Sequence, residues 1–264
     1  LYTIGADGNR ITPSAATDAD TYLFMGDSFV FGDALADSQS LPAQFSAQAG
    51  LKAKATNLAV PGYAPNHWVR ALEAGLLDIY IDKRVKAVVT WIIPAQLERV
   101  TGDSPWLGSS PQYVLADGTV HFTGSFTLSR WRNPIAGAAF VGRQYLPFLR
   151  LLGEQQRQEQ QADLFVALLA RLQQLVREKL GAPLVVLYSW PDEASGPNYS
   201  DSSVAQPLLV ATLARIRALG IPLVSVNRLI VGMPLSQIVI PHDGHPTADV
   251  NRLAAEALRQ SLGR

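Results

Sequence analysis

Residues 24–32 read Phe-Met-Gly-Asp-Ser-Phe-Val-Phe-Gly, and this stretch predicts how the rest of the chain is arranged. A short apolar run over 21–25 stops at Gly26, a pattern typical of a buried strand that leaves the sheet through a tight turn. Ser28 then lies on that turn, where its hydroxyl faces the rim of a sheet. A serine in this position is a candidate nucleophile, provided that a base and oxyanion donors lie nearby.

Apolar runs alternate with segments of helical periodicity along the rest of the chain. The predicted strands are 21–25, 52–60, 85–93, 183–189 and 221–226, and the predicted helices are 41–49, 66–81, 134–152, 160–180, 204–219 and 247–262. Such alternation is typical of a mainly parallel sheet that is covered by helices on both faces. We therefore predict one α/β domain over residues 1–264, built on a five-stranded sheet.

The alternation breaks between residues 101 and 133, which we predict to be an insertion after the third strand. Two strand-like runs there, 113–115 and 119–122, flank Ala116-Asp117-Gly118 and indicate a hairpin. The polar stretch 154–161 is either a solvated turn or a continuation of helix. The first 20 residues have the composition of a surface lead-in.

Composition excludes several classes of function. The chain is 48% hydrophobic and 17% charged, which is typical of a folded globular protein. Basic and acidic residues number 22 each, so the chain has no overall field to attract nucleic acid or an anionic membrane. The absence of cysteine excludes disulfides, thiolate catalysis and cysteine-ligated metals. No apolar run reaches membrane-spanning length. Because the chain begins at Leu1, we expect that an upstream segment was removed or left out, either a signal peptide or anchor or simply residues beyond the chosen boundary.

A base for Ser28 must be found among four histidines. His121 falls in the predicted hairpin and His67 at a helix entry, positions that favour structural roles. The other two, His242 and His245, belong to Pro-His-Asp-Gly-His-Pro at 241–246, a loop composition that suits side chains pointing into a cleft. Asp243 lies close enough along the chain to orient an imidazole ring.

Four candidate positions fall at or after predicted strand ends: Ser28, Gly62, Pro94 and His245. In a parallel sheet the carboxyl ends of the strands share one edge, where ligands bind. We therefore expect these residues to meet at one site.

Three motifs together resemble the SGNH (GDSL-type) hydrolase superfamily. They are Gly26-Asp27-Ser28-Phe29, then Asn57-Leu-Ala-Val-Pro-Gly62-Tyr63, and Asp243-Gly-His245-Pro near the end of the chain. The resemblance covers nearly the whole sequence and implies a flavodoxin-like three-layer α/β/α sandwich with esterase, lipase or acyltransferase chemistry. With Asp7-Gly8-Asn9-Arg10 ahead of the first strand, the chain is also similar to GDSL-like proteins linked to bacterial exopolysaccharide modification, which points to an extracytoplasmic location.

The resemblance assigns a role to each matching residue. It makes Ser28 the nucleophile and an oxyanion donor through its own amide, and Gly62 a second amide donor. His245 becomes the general base, and Asp243 its acidic partner. The commoner family pattern has the acid three positions before the histidine, where this chain has His242. The alternative is a Ser–His dyad assisted by a backbone carbonyl.

The chain departs further from the family pattern after the third predicted strand. The family usually has an asparagine there that donates its side-chain amide to the oxyanion hole, and the stretch 91–99 contains no asparagine. Gln96 is the candidate replacement, donating a side-chain amide on a longer arm. The alternative is that Gln96 caps a loop and the hole has two backbone donors, or that Asn66 serves instead. We also predict substrate-binding roles for Tyr63, Asn66 and His67.

We expect a serine esterase that removes a short acyl group, most plausibly O-acetyl, from a carbohydrate through an acyl-serine. The alternatives are a carbohydrate O-acetyltransferase with the same residues and a non-catalytic carbohydrate-binding protein. Neither a cofactor nor a metal is expected, since no further carboxylate motif joins the histidines of 241–246. Three aromatic residues of the insertion either stack on sugar rings or anchor their own loop: Trp106, Tyr113 and Trp131.

Overall fold

The computed structural model describes residues 2–13, 20–48, 53–81, 83–191 and 204–263, without the side chains of residues 147 and 150. The strands are β1 (Asp20–Phe24), β2 (Ala53–Asn57), β3 (Val85–Ile92), β4 (Pro111–Ala116), β5 (Thr119–Ser125), β6 (Leu184–Tyr188) and β7 (Leu223–Ser225). The helices are α1 (Ser28–Phe31), α2 (Leu41–Ala47), α3 (Pro65–Glu73), α4 (Gln96–Thr101), α5 (Phe126–Arg132), α6 (Pro134–Tyr145), α7 (Pro147–Leu151), α8 (Glu154–Leu180), α9 (Gln206–Ala218), α10 (Val226–Leu229), α11 (Leu235–Ile238) and α12 (Ala248–Ser261).

Five strands form one sheet in the order β2-β1-β3-β6-β7, and every pairing in it is parallel. The last residue of β1, Phe24, is in register with Asn57 of β2 and Val89 of β3. The carboxyl ends of these strands therefore reach the same edge, as the sequence predicts. The α/β fold class with a five-stranded parallel sheet is confirmed.

Alternate residues of the central strands supply two separate cores. In β3, Val88 and Ile92 pack on one face with α3, α8 and α9, whereas Val89 and Trp91 pack on the other face with α1, α2 and α12. Successive side chains of a strand point to opposite faces of the sheet, so a strand that is buried on both faces must contribute to two separate cores. The result is a three-layer sandwich.

The predicted helix 66–81 is wrong in its second half. Helix α3 ends at Glu73, and Gly75 adopts φ +75°, outside the helical region. Leu76 and Ile79, which helical spacing would place on the buried face, are 68% and 67% exposed.

Two other boundaries also differ from the predictions. The helix predicted over 134–152 is divided at Leu146, because a proline follows it and disfavours helical backbone there. The polar stretch 154–161 forms the first turns of the long helix α8. The last residue of the predicted helix 41–49, Ala49, and the first residue of the predicted strand 52–60, Lys52, lie outside the described residues. Strands β4 and β5 form the expected hairpin as a separate two-stranded sheet.

The lead-in is not all surface, because the side chain of Arg10 is buried. Its guanidinium donates hydrogen bonds to the carbonyl oxygens of Phe31 (2.8 Å), Gly32 (2.6 Å) and Leu35 (2.7 Å), and it pairs with Asp37 at 3.0 Å. The last carbonyl oxygens of a helix accept no hydrogen bond from within the helix, so donors from elsewhere in the protein must bond to them. Arg10 thus fixes the end of the short helix that carries Ser28.

Candidate active site

Ser28 is the first residue of α1, directly after the turn that leaves β1. Asp27 caps this helix, because its carboxylate accepts the Phe29 N–H at 3.0 Å. Gly26 permits the tight turn, since a Cβ there would collide with Val30. Within the described ranges, no acceptor is found for the Ser28 N–H and no partner for its hydroxyl. Both groups are therefore available to a substrate.

The Asp27 carboxylate is fully buried and is held by three donors. Besides the Phe29 amide, it accepts hydrogen bonds from Gln96 Nε2 at 2.9 Å and Arg99 Nη1 at 2.7 Å. Arg99 also donates to the Tyr63 carbonyl at 3.2 Å. A buried carboxylate is tolerated only when it is paired and hydrogen-bonded in this way. This network connects the turn of Ser28 to the loops that follow β2 and β3.

Gln96 does not reach the substrate edge as an oxyanion donor. Its side chain is fully buried, and its Nε2 donates both to Asp27 and to the Trp91 carbonyl, the latter at 3.2 Å. An amide nitrogen has two hydrogens, and these two bonds use both. The prediction of Gln96 in the oxyanion hole is corrected on this ground, in favour of its alternative role of fixing a loop.

His245 and Asp243 form a close pair in the loop before α12. Asp243 Oδ1 lies 2.5 Å from His245 Nδ1 and also accepts the His245 backbone N–H at 3.2 Å. The loop is closed by a bridge between Val239 and Pro246 and by the Ile240 N–H, which donates to the His245 carbonyl. A spacing of two residues thus brings the acid to the ring. With Nδ1 donating to Asp243, the neutral imidazole leaves Nε2 free to accept a proton.

The His245 ring packs on the residue that follows the candidate nucleophile, and the described residues show no hydrogen bond between His245 and the Ser28 hydroxyl. It makes an edge contact with Phe29, the residue after Ser28, at 5.6 Å between ring centroids, and Phe29 in turn contacts Trp91 of β3 at 5.5 Å. Asp33 lies on the far side of the imidazole, with its Oδ2 3.9 Å from Nε2. Burial raises the pKa of the Asp33 carboxyl, with His245 opposing and Asp243 adding to the rise.

Gly62 follows β2 at the same edge, and its N–H has no acceptor among the described residues. Its φ of +84° is left-handed, a conformation that favours glycine. The Trp106 indole lies over it, because a Cβ on Gly62 would be 2.7 Å from Trp106 Cζ3. Trp106 is nevertheless 60% exposed, so the indole forms an open wall beside this amide.

The three residues predicted to bind substrate differ in accessibility. Asn66 is fully buried and donates to the Pro111 carbonyl at 2.7 Å, so it holds the hairpin to α3 and is not available to a ligand. His67 is also buried, and its Nδ1 accepts the Ala64 N–H at 3.2 Å. Burial lowers the pKa of His67 to about 4. Tyr63 is half-buried and stacks on His67 with centroids 4.2 Å apart.

The remaining candidates lie away from this cluster. His121 contacts Thr119 on the exposed hairpin, and His242 is exposed with φ +64°. Tyr113 is buried and donates a hydrogen bond to Glu73 at 2.6 Å. Of the two roles considered for it, stacking on a sugar or anchoring its loop, the structure shows the anchoring role. In the part of the chain that the structure describes, no group of three or more His, Asp or Glu side chains is arranged to hold a metal ion.

Comparison with solved structures identifies the fold. The chain superimposes on a candidate arylesterase from Agrobacterium tumefaciens str. C58 with a TM-score of 0.51 and 16% identity, covering 91% of this chain and 97% of that one. A candidate GDSL-like lipase from Parabacteroides merdae gives a TM-score of 0.51 at 13% identity over 95% and 99% of the two chains. The protein TesA gives 0.50 at 17% identity over 92% and 97%. No protein-family model and no curated protein sequence matches the chain.

The chain therefore shares the α/β fold of these solved structures, which is the fold that its resemblance to the SGNH (GDSL-type) hydrolases implies. Two residues of the site were not found by sequence reasoning, Asp33 and Arg99, whereas Trp106, predicted either to stack on sugar rings or to anchor its loop, lies over Gly62. The first two had a weak signal, since Asp33 follows Ser28 by five residues and Arg99 follows the strand end next to that of β1.

Proposed function

We propose that the protein is a serine esterase that removes a short acyl group, in particular O-acetyl, from a carbohydrate. One observation carries this proposal: the His245 ring, bonded to Asp243 at 2.5 Å, packs on Phe29, the residue after Ser28, and the Ser28 hydroxyl has no partner within the described residues. The SGNH fold supports the same chemistry, because its solved representatives include proteins described as esterases and lipases.

In the proposed first half-reaction, Ser28 Oγ attacks the ester carbonyl while His245 Nε2 takes the hydroxyl proton. The carbonyl oxygen becomes an oxyanion that faces the N–H groups of Ser28 and Gly62. Collapse of this intermediate breaks the ester C–O bond, and His245 gives its proton to the departing sugar hydroxyl. Asp243 stabilises the imidazolium that exists between these two transfers. The acyl group then remains on Ser28 as an ester.

In the second half-reaction, water attacks the acyl-serine carbonyl and His245 takes its proton. A second oxyanion forms against the same two amides. Its collapse breaks the bond between the acyl carbon and Ser28 Oγ, His245 returns its proton to that oxygen, and the carboxylic acid leaves. If a sugar hydroxyl replaces water, the same steps transfer the acyl group to that sugar. The oxyanion hole has two backbone donors in this scheme, because Gln96 and Asn66 are engaged within the protein.

A carbohydrate substrate is supported by Trp106, whose exposed indole lies over the Cα of Gly62. Tryptophan presents an apolar face and a polar edge to its surroundings, so it suits a ligand with both C–H and hydroxyl groups. A sugar ring on Trp106 would hold its acetyl carbonyl near Gly62. With the similarity of the N-terminal motif to exopolysaccharide-modifying proteins, this extends the proposal to an extracytoplasmic polysaccharide.

Hydrolysis of a short-chain aryl ester tests the central claim. We expect Ser28→Ala to lower kcat by roughly 10³-fold or more, and a fluorophosphonate probe to label the wild-type protein at Ser28. Ser38→Ala is a matched control, since Ser38 is exposed on a turn of the same segment. Equal hydrolysis by wild type and Ser28→Ala, with no labelling, would favour the non-catalytic carbohydrate-binding alternative.

An acceptor sugar distinguishes hydrolysis from transfer. Wild-type protein is incubated with an activated acetyl donor and an excess of oligosaccharide, and free acetate and acetylated sugar are both measured. The esterase proposal predicts acetate as the main product and faster deacetylation of an acetylated oligosaccharide than of the free aryl ester. A majority of acetylated oligosaccharide would instead identify an acetyltransferase.

A further inference from the structure

Helices α5, α6 and α7 form a layer that is attached to the body of the protein by a few contacts. Phe126 and Phe140 are its buried anchors. Between them, the Arg130 guanidinium lies 3.5 Å from the Phe140 ring centroid and donates to the Gly102 carbonyl at 2.7 Å. A second link is the Gln144 side chain, which donates to the Asp103 carbonyl at 2.9 Å. These contacts fix the inner side of the layer and leave its outer side to solvent.

The outer side of this layer is strongly apolar. Its large side chains are between 61% and 82% exposed: Trp131, Ile135, Tyr145, Phe148, Leu151 and Leu152. Scattered exposed apolar residues are normal, but such a concentration on consecutive helices marks an interaction surface. Trp131, at 81% exposed, therefore does not anchor its loop. We call these six residues the apolar face.

The charge of the same segment indicates what covers the apolar face. Residues 126–153 contain four arginines and no lysine, aspartate or glutamate, although the whole chain is neutral. Arg130 faces the body of the protein and Arg143 pairs with Asp103 at 3.8 Å, but no acidic residue of the segment itself offsets its positive charge. Arg132 is exposed beside Trp131. Two copies of the chain joined through this face would bring two basic segments together, which disfavours self-association.

Aromatic and aliphatic side chains combined with arginine and without acidic residues are the composition of helices that lie in the plane of a membrane interface. Anionic lipid headgroups attract arginine, while tryptophan, tyrosine and phenylalanine enter the boundary with the acyl chains. Among the described residues, no helix is long and apolar enough to cross a bilayer. We propose that the apolar face is a docking surface for an anionic phospholipid bilayer, on which α5, α6 and α7 lie flat.

This proposal is independent of the ester chemistry, and its test is a binding measurement. The chain of residues 1–264 is sedimented with vesicles of phosphatidylcholine alone and with vesicles that also contain phosphatidylglycerol. We expect binding to the anionic vesicles only, weakened by salt. The double substitution Trp131→Ser with Phe148→Ser should weaken it more than about tenfold. Arg132→Gln should weaken it roughly fivefold.

A matched control is provided by Leu76 and Ile79, which are as exposed as the apolar face but lie outside it. Leu76→Ser with Ile79→Ser should bind vesicles as the wild type does. Two results would overturn the proposal: wild type that fails to bind anionic vesicles at low salt, or a Trp131/Phe148 variant that binds as tightly as wild type. Light scattering that shows a wild-type oligomer, dissociated by the same substitutions and without vesicle binding, would assign the face to self-association instead.

Discussion

Asp33 Oδ2 lies 3.9 Å from His245 Nε2, while Asp243 Oδ1 contacts Nδ1 of the same imidazole at 2.5 Å. The ring is thus flanked by two carboxylates. The one on the Nε2 side is partly buried, and burial raises its pKa above the ordinary value for aspartate. An aspartate whose pKa is higher in the folded than in the unfolded state lowers the free energy of unfolding at neutral pH, because it is charged there in a setting that disfavours the charge.

We predict that Asp33→Asn lowers activity without lowering stability. Loss of the negative charge removes support for the imidazolium, and kcat/KM should fall about 3- to 10-fold. The Tm at pH 7 should stay the same or rise, because an unfavourable buried charge is removed. Thermal unfolding and ester hydrolysis are measured on the same samples. Asp117→Asn, on the exposed hairpin turn, is the charge-matched control and should change neither quantity.

Gly62→Ala should remove activity far more than stability. The new Cβ would meet the Trp106 ring at 2.7 Å and the residue would be strained at φ +84°, so we expect the Gly62 backbone to shift together with its N–H. Displacing one oxyanion donor typically lowers kcat about 10²- to 10³-fold. Gly118→Ala is the control, since Gly118 has φ +74° and open space around it. Both variants should lose about 1 kcal/mol of unfolding free energy, and full activity in Gly62→Ala would contradict its oxyanion role.

Acid should destabilise the protein through His67. Its folded-state pKa is lowered to about 4 by burial, against 6.5 for an exposed histidine. Between these values the unfolded chain binds the proton and the folded chain does not, so stability is complete above about pH 6.5 and falls as the pH drops toward 4. The full loss is about 3 kcal/mol. His67→Asn retains an acceptor for the Ala64 N–H, and its unfolding free energy, measured in urea, should fall less over this range. Parallel pH curves for the two proteins would refute the assignment.

The pairing of Arg99 with Asp27 should be essential for stability, unlike exposed ion pairs of the same chain. Arg99→Leu leaves a fully buried carboxylate with fewer donors and should cost about 3 kcal/mol or more. Adding Asp27→Asn removes the buried charge and should recover part of that loss. The control is Arg84→Leu, because Arg84 is 75% exposed in its pair with Asp20 and should cost less than about 1 kcal/mol. Chemical denaturation of the wild type and these three variants gives the comparison.

The strands and the position of Ser28 were predictable because each depends on a local pattern: a short apolar run, a glycine at its end, and alternation with helices. The pairing of Asp243 with His245 was also within reach, since both belong to one short loop. The errors have a different origin. Helical spacing continued through Leu76 and Ile79, but the glycine before them ended the helix. Gln96 was assigned to the oxyanion hole by residue type, and only the fold shows its amide bonded to Asp27.

The network around Asp27 has a consequence for the order in which the protein is completed during synthesis. The turn of Ser28 relies on Gln96 and Arg99, roughly seventy residues later, and the base arrives only with the loop of His245. A chain that has emerged only as far as β2 has its nucleophile in sequence but lacks the donors that fix its turn. Catalytic competence should therefore develop only after the loop of His245 has left the ribosome, long after the nucleophile itself.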